Sequence, residues 1–124
     1  MLPPAAVVDG YPTPFFAYDA AQIRAQAAAL RNAFAGQRVA LFYAVKANDH
    51  PTVVALAAEQ GLGACLVSGG ELRRAQQAGI VPANMLMNGV GKTPDEIRLA
   101  LASGIGQLNL ESLPEIETVG AIAA

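Results

Sequence analysis

Val39-Ala-Leu-Phe-Tyr-Ala-Val45 is the first of four short apolar segments whose spacing decides the fold. The other three are Gly63-Ala-Cys-Leu-Val67, Asn84-Met-Leu-Met-Asn88 and Gly106-Gln-Leu-Asn-Leu110. Successive segments begin 21 to 24 positions apart, and each is followed by a stretch with helical spacing, at 52–60, 70–78, 94–102 and from 113 onward. Apolar strands that alternate with helices are typical of a parallel sheet covered by helices. We therefore predict four consecutive βα units.

Start and stop signals flank the predicted helices. Prolines stand where three of them should begin, and glycines stand where three of them should end. These residues are Pro51, Pro94, Pro114, Gly61, Gly79 and Gly104. The signals support the division into four units.

The residues before the first unit are predicted to form a lead-in. Thr13-Pro-Phe-Phe-Ala-Tyr18 favours a short strand, and Asp19 is expected to cap a helix that runs to about Ala35. We assign residues 1–18 to a lead-in segment and residues 19–124 to a partial barrel domain.

Two architectures combine parallel strands with helices in this way, the doubly wound sheet and the barrel. A nucleotide-binding doubly wound sheet would be favoured by a G-x-G-x-x-G turn, which the sequence lacks. We therefore predict the first half of a (β/α)8 barrel, since a complete barrel needs about 250 residues. The end at Ala124, without a clear helix cap, favours a sequence that is cut off.

Composition and charge exclude several classes of partner. Charged residues make up only 15% of the sequence, so we expect surface that something else covers. A net charge of −2 without a basic stripe argues against nucleic acid. The longest apolar run, residues 39–45, is far too short to span a membrane. No secretory signal opens the sequence, and we predict a cytoplasmic protein.

The single cysteine and the single histidine limit other chemistry. Cys65 cannot form an internal disulfide, and its apolar surroundings predict a small core residue. His50 alone cannot build a metal site, so no metal is predicted.

Lys46 gives the strongest chemical signal. It directly follows seven apolar residues, although lysine is rarely buried without a partner or a function. Such surroundings remove solvation from the ammonium and favour a neutral amine, which can attack a carbonyl and form a Schiff base. The alternative is a strand-end lysine whose ammonium reaches solvent, and position alone slightly favours that alternative.

The residues around Lys46 carry a resemblance to a known family. Tyr43-Ala-Val-Lys-Ala-Asn48 resembles the cofactor-lysine segment of fold-type III pyridoxal-phosphate enzymes, which include alanine racemase and the decarboxylases of diaminopimelate, ornithine and arginine. Four further segments resemble the diaminopimelate decarboxylases of this group, in the same order. They are Thr13-Pro-Phe-Phe-Ala-Tyr-Asp19, Val67-Ser-Gly-Gly-Glu-Leu72, Gly89-Val-Gly-Lys92 and Asn109-Leu-Glu-Ser112. The resemblance is to the N-terminal part of these enzymes.

The resemblance implies an activity and a cofactor. Lys46 would be the catalytic and cofactor-binding lysine, holding pyridoxal 5'-phosphate in a homodimeric enzyme that converts meso-diaminopimelate to L-lysine and carbon dioxide. The alternatives are ornithine or arginine decarboxylase, and a non-catalytic fragment that holds the cofactor or binds a partner through its open sheet edge. Unpaired strand edges also lead us to expect that the chain self-associates.

The sequence departs from the family pattern at two places. Cys65 stands where family members usually have an aspartate, so any polar role of that aspartate is lost. Residues 46–51 differ from the racemase pattern, which favours the decarboxylase branch. The family's phosphate cup and the acidic partner of the pyridine nitrogen have no counterpart in these 124 residues, so we expect the chain alone to be inactive.

Two other polar segments have simpler interpretations. Ser68 and Glu71 match a capping box, which we favour over a rim carboxylate turned toward Lys46. Lys92 follows a glycine but lacks the earlier glycine of a P-loop, so it is expected to be a loop or rim lysine.

Overall fold

The computed structural model describes residues 5–124, which form a four-stranded parallel sheet in the order β1-β2-β3-β4. The strands are β1 (Phe42–Ala44), β2 (Gly63–Leu66), β3 (Met85–Met87) and β4 (Gln107–Leu108). The helices are α1 (Ala5–Asp9), α2 (Ala20–Ala33), α3 (Pro51–Glu59), α4 (Gly69–Gln77), α5 (Pro94–Ser103) and α6 (Leu113–Ala123). Short 3-10 turns lie at Val45–Ala47 and Pro82–Asn84. The four predicted βα units are confirmed, with strands shorter than the apolar segments.

One face of the sheet forms the core together with the helices. Ala64 pairs in register with Met85, and Leu66 with Met87, and all four side chains are buried. They pack against buried residues of α3, α4 and α5, which are Val54, Leu72, Ala75 and Ala100. Full burial of a leucine or methionine side chain contributes about 1.5–3 kcal/mol, so this face supplies the main stabilisation.

Residues 5–124 leave the opposite face of the sheet uncovered. Cys65 pairs in register with Ala44 and Leu86, and Leu86 pairs with Gln107. None of these four residues is buried. Side chains alternate between the two faces of a strand, so all four belong to the face away from the helices. Helices on one face only agree with the predicted wall of a barrel.

Helices α4, α5 and α6 begin in the same way. The hydroxyl of a serine or threonine N-cap accepts the N–H of the glutamate three residues later. The pairs are Ser68–Glu71, Thr93–Glu96 and Ser112–Glu115, at 3.2, 3.2 and 3.3 Å. The predicted cap at Ser68 is confirmed, but Glu71 Oε2 accepts the N–H of Val67 at 2.9 Å instead of that of Ser68. The carboxylate is thus held by backbone just before its own helix.

The lead-in segment differs from the prediction. Residues 13–18 form no strand, because no strand of the described chain pairs with them and Pro14 has no N–H to donate. Helix α1 was not predicted, whereas Asp19 caps α2 as expected, accepting the N–H groups of residues 21 and 22. Residues 1–4 of the predicted segment lie outside the described residues, and the domain boundary after residue 18 stays a prediction.

Gly106 lies just before β4 and close to the backbone of the second 3-10 turn. Its N–H donates to Pro82 O at 3.0 Å, and a Cβ there would overlap the Ala83 carbonyl. We expect Gly106→Ala to lower the free energy of unfolding by about 1–3 kcal/mol in urea denaturation. Gly120→Ala is the matched control, because nothing lies near its Cβ position in α6 and alanine stabilises helices by up to about 1 kcal/mol. Equal losses in both variants would contradict the steric explanation.

The sheet edges make the predicted self-association testable. β1 and β4 each have one unpaired edge within residues 5–124, and Phe42 and Leu110 are exposed beside them. We expect the purified chain to sediment as dimers or larger species, because unpaired edges and apolar surface favour association. A monomer at every concentration in sedimentation velocity, with a cooperative melt, would contradict this expectation.

Candidate active site

The loops after the four strands meet at one edge of the sheet, because all the strands are parallel. This edge, called the carboxyl rim below, carries Lys46 after β1, Ser68 after β2, Gly89 after β3 and Glu111 after β4. Reactive groups of parallel α/β folds gather at this edge, where loops are free of packing roles. The structure thus places the polar segments singled out in the sequence on one rim.

Lys46 lies in the 3-10 turn Val45–Ala47 at the end of β1. Val45 is fully buried and anchors the turn, whereas the Lys46 side chain is exposed. The expectation that Lys46 loses its solvation is therefore wrong for the described chain, because the uncovered sheet face leaves the rim in contact with solvent. Within residues 5–124 the Lys46 ammonium has no salt-bridge partner, Glu71 included. The amine is accessible to a ligand.

Tyr43 ties the Lys46 turn back to β1. Its hydroxyl donates to the main-chain oxygen of Asn48 at 2.9 Å, and the Asn48 N–H donates to Val45 O at 3.1 Å. Burial raises the pKa of the Tyr43 hydroxyl, with a further rise from Tyr18 and a smaller one from Asp49. The phenol therefore keeps its proton, and the bond persists at neutral pH.

A row of polar side chains crosses the uncovered face at the ends of β2, β3 and β4. Asn88 Nδ2 donates to Cys65 Sγ at 3.1 Å, and Asn109 Nδ2 donates to Asn88 Oδ1. Gln107 Nε2 completes the row by donating to Asn109 Oδ1 at 2.6 Å. Sequence reasoning missed this row because its members come from three different units.

Cys65 lies in this polar row and not in the core. It is half-buried, while its neighbours Ala64 and Leu66 are fully buried against the helices. The prediction of a core cysteine is wrong because an apolar run hides which alternate residues face the helices.

Lys92 lies in the loop after β3, which confirms the prediction of a loop or rim lysine, and its side chain is buried and paired. Its side chain is 1% exposed, and its Nζ lies 3.1 Å from Glu115 Oε1 and donates to Gly89 O at 2.7 Å. Glu115 Oε2 accepts the N–H of Glu111 at 2.7 Å, and Glu111 Oε1 accepts the N–H of Gly89 at 3.2 Å. This closed circuit joins the loop after β3 to the loop after β4. The members of this circuit come from two segments that are far apart in the sequence, so residue spacing alone did not predict it.

The described part of the chain has neither a membrane span nor a metal cluster. Among residues 5–124 no helix is long and apolar enough to cross a bilayer. In the same range, no three His, Cys, Asp or Glu side chains are grouped so that they could hold a metal ion.

Comparison with known proteins adds to this geometry. The family described as "Pyridoxal-dependent decarboxylase, pyridoxal binding domain" matches residues 20–124, a range that includes Lys46 and all four βα units. The chain belongs to this family. Diaminopimelate decarboxylase of Zymomonas mobilis is similar to this pyridoxal-binding domain, with 40% identity over 125 residues, 98% of the chain and 30% of the relative.

Solved structures of relatives share the fold. Diaminopimelate decarboxylase of Helicobacter pylori in complex with L-lysine is 40% identical, with a TM-score of 0.86 over 95% of this chain and 30% of that protein. Lysine/ornithine decarboxylase of Vibrio vulnificus in complex with putrescine is 31% identical, with a TM-score of 0.83 over 94% of this chain and 31% of that protein. The predicted partial barrel is confirmed. The chain spans about 30% of the length of these relatives.

Proposed function

We propose that this chain is the lysine-bearing part of a pyridoxal-phosphate-dependent decarboxylase that converts meso-diaminopimelate to L-lysine and carbon dioxide. The observation that carries the proposal is the place of Lys46, an exposed amine on a fixed turn at the carboxyl rim of a pyridoxal-binding domain. A primary amine held there can bind an aldehyde covalently. Lys46 is thus the proposed catalytic and cofactor-binding residue.

The residues present fit covalent attachment of the cofactor. No residue within 5–124 forms a salt bridge with the Lys46 ammonium, and the adjoining sheet face is uncovered. When bound, pyridoxal phosphate supplies an electron sink for the electrons that remain when a carboxylate leaves as carbon dioxide. The contribution of this chain is to hold the cofactor through Lys46 and to line one side of the site.

The substrate assignment rests on similarity. The diaminopimelate decarboxylases of Zymomonas mobilis and Helicobacter pylori are 40% and 42% identical to the chain, the lysine/ornithine decarboxylase is 31% identical, and the diaminopimelate decarboxylase of M. jannaschi is 28% identical. The higher identity to the first two favours diaminopimelate over ornithine as the substrate of the whole enzyme. The homodimer and the cytoplasmic location expected from the sequence belong to the same proposal.

We expect the isolated chain to hold the cofactor without turning the substrate over, because it spans only about 30% of its relatives. The test is incubation with pyridoxal phosphate, borohydride reduction and mapping of the labelled residue by peptide mass spectrometry. Label on Lys46 supports the proposal. Label confined to the N-terminal amine, or no label, would contradict it.

A further inference from the structure

Arg74 reaches from α4 to the loop that follows Lys46. Its Nε lies 3.1 Å from Asp49 Oδ2, and its Nη1 donates to the main-chain oxygen of Asp49 at 3.2 Å. One planar guanidinium therefore holds both the side chain and the backbone of a single residue, a geometry that lysine does not reproduce. The helix beneath it is fixed, since Leu72 and Ala75 are fully buried.

Two neighbouring carbonyls after Lys46 are thus held from different elements. Tyr43 on β1 binds the carbonyl of Asn48, and Arg74 on α4 binds that of Asp49. In addition, Asn48 Oδ1 accepts the N–H of His50 at 3.0 Å, which closes the loop locally. The backbone on the C-terminal side of Lys46 is fixed at successive residues, while its own side chain stays exposed.

We propose that Arg74 is a positioning residue for Lys46: by fixing Asp49, it holds the turn so that the Lys46 amine meets the aldehyde of pyridoxal phosphate at the carboxyl rim. This inference rests on the proposed role of Lys46. The reaction that it favours joins the neutral amine to the aldehyde carbon, forms one carbon–nitrogen double bond and releases one water. Holding a nucleophile in place speeds such an addition, because less orientational freedom is lost on the way to the transition state.

The exposure of the Arg74–Asp49 pair allows a positioning role to be distinguished from a role in stability. The side chains of Arg74 and Asp49 are 42% and 56% exposed, and salt bridges this exposed contribute little to folding. Loss of Arg74 should therefore leave the fold in place and change only the reactivity of Lys46. A purely structural role would show itself as a lower Tm.

The experiment compares the rate of pyridoxal phosphate attachment in wild type, Arg74→Met and Arg74→Lys, across a range of pH. Arg98→Met is the matched control, because Arg98 forms an exposed salt bridge with Asp95 on its own helix and not with the loop after Lys46. Label on buried Lys92 reports opening of the fold in the same samples. We expect Arg74→Met to slow labelling of Lys46 by about twofold to fivefold, with Arg74→Lys recovering part of the rate.

Both Arg74 variants should show a Tm within about 2 °C of wild type and no label on Lys92. Arg98→Met should label Lys46 at the wild-type rate. Labelling of Lys46 at the wild-type rate in Arg74→Met would overturn the inference while leaving the proposed function intact. Slower labelling of Lys46 that comes with label on Lys92 and a lower Tm would also overturn it. Absence of label on Lys46 in the wild type would overturn the proposed function and this inference together.

Discussion

Replacing Lys46 by alanine is expected to abolish covalent attachment of pyridoxal phosphate at the carboxyl rim. Lys46 and Lys92 are its two lysines, and Lys92 is buried in an ion pair with Glu115. A buried, paired ammonium offers no free amine to an aldehyde, so the variant keeps only the N-terminal amine. Because the Lys46 side chain is exposed, its loss removes no packing, and the Tm should stay unchanged.

The control for this variant is Lys46→Arg, which keeps the positive charge at the same place. Its guanidinium stays protonated and cannot add to the aldehyde, so it separates attraction of the phosphate from covalent attachment. We expect a strong visible absorbance band, and a label on an internal peptide after borohydride reduction, in the wild type alone. A band of equal strength in Lys46→Ala would place the attachment elsewhere and refute the proposed role of Lys46.

The strand and helix order could be predicted because it depends on local signals. Pro51 and Pro94 stand in the first turns of α3 and α5, and Gly104 ends α5 in the left-handed conformation that glycine adopts without strain. The position of Lys46 followed from the same signals, since a residue directly after a parallel strand lies at the carboxyl rim. Its role came from resemblance and stays a proposal.

The faces of the strands could not be predicted. Gly63-Ala-Cys-Leu-Val67 is apolar throughout, so its sequence does not show that Leu66 faces the helices and Cys65 the uncovered side. Residues 13–18 have strand-like composition, but a strand also needs a partner, and partners are set by the tertiary structure. Exposure of Lys46 likewise depends on what covers the rim.

Lys92→Met is expected to lower the free energy of unfolding by about 3 kcal/mol, the lower end of the range for a buried ion pair that loses one partner. Methionine fills nearly the same space, so little packing is lost. The stability is lost because the carboxylate of Glu115, which is 9% exposed, keeps no cationic partner, and because the Gly89 carbonyl loses its hydrogen-bond donor. The lower end applies because Glu115 keeps the bond from the Glu111 N–H at the start of α6. Urea denaturation at pH 7 measures the difference.

The double variant Lys92→Met with Glu115→Gln tests this explanation. A neutral glutamine can still accept the N–H of Glu111 and leaves no buried charge, so we expect it to recover more than half of the lost stability. Arg98→Met, which breaks an exposed pair, should change stability by less than about 0.5 kcal/mol. If the double variant is as unstable as Lys92→Met alone, the loss comes from packing and not from an unpaired carboxylate.

The pH dependence of the free energy of unfolding is a second test of the Lys92–Glu115 pair. The bond from the Glu111 N–H, and then the hydrogen bond and charge of Lys92, hold the pKa of Glu115 below its ordinary value, against the raising effect of burial. A carboxyl with a lowered folded-state pKa stabilises the fold fully above its unfolded pKa, and this stabilisation is lost as the pH falls through the folded value. The wild type should therefore lose stability in acid, below the ordinary carboxyl range. Lys92→Met removes one cause of the lowered pKa, so the stability difference between wild type and variant should be largest at neutral pH and should shrink in acid. A difference that stays constant across this range would argue that the ion pair contributes nothing to the link between the two loops.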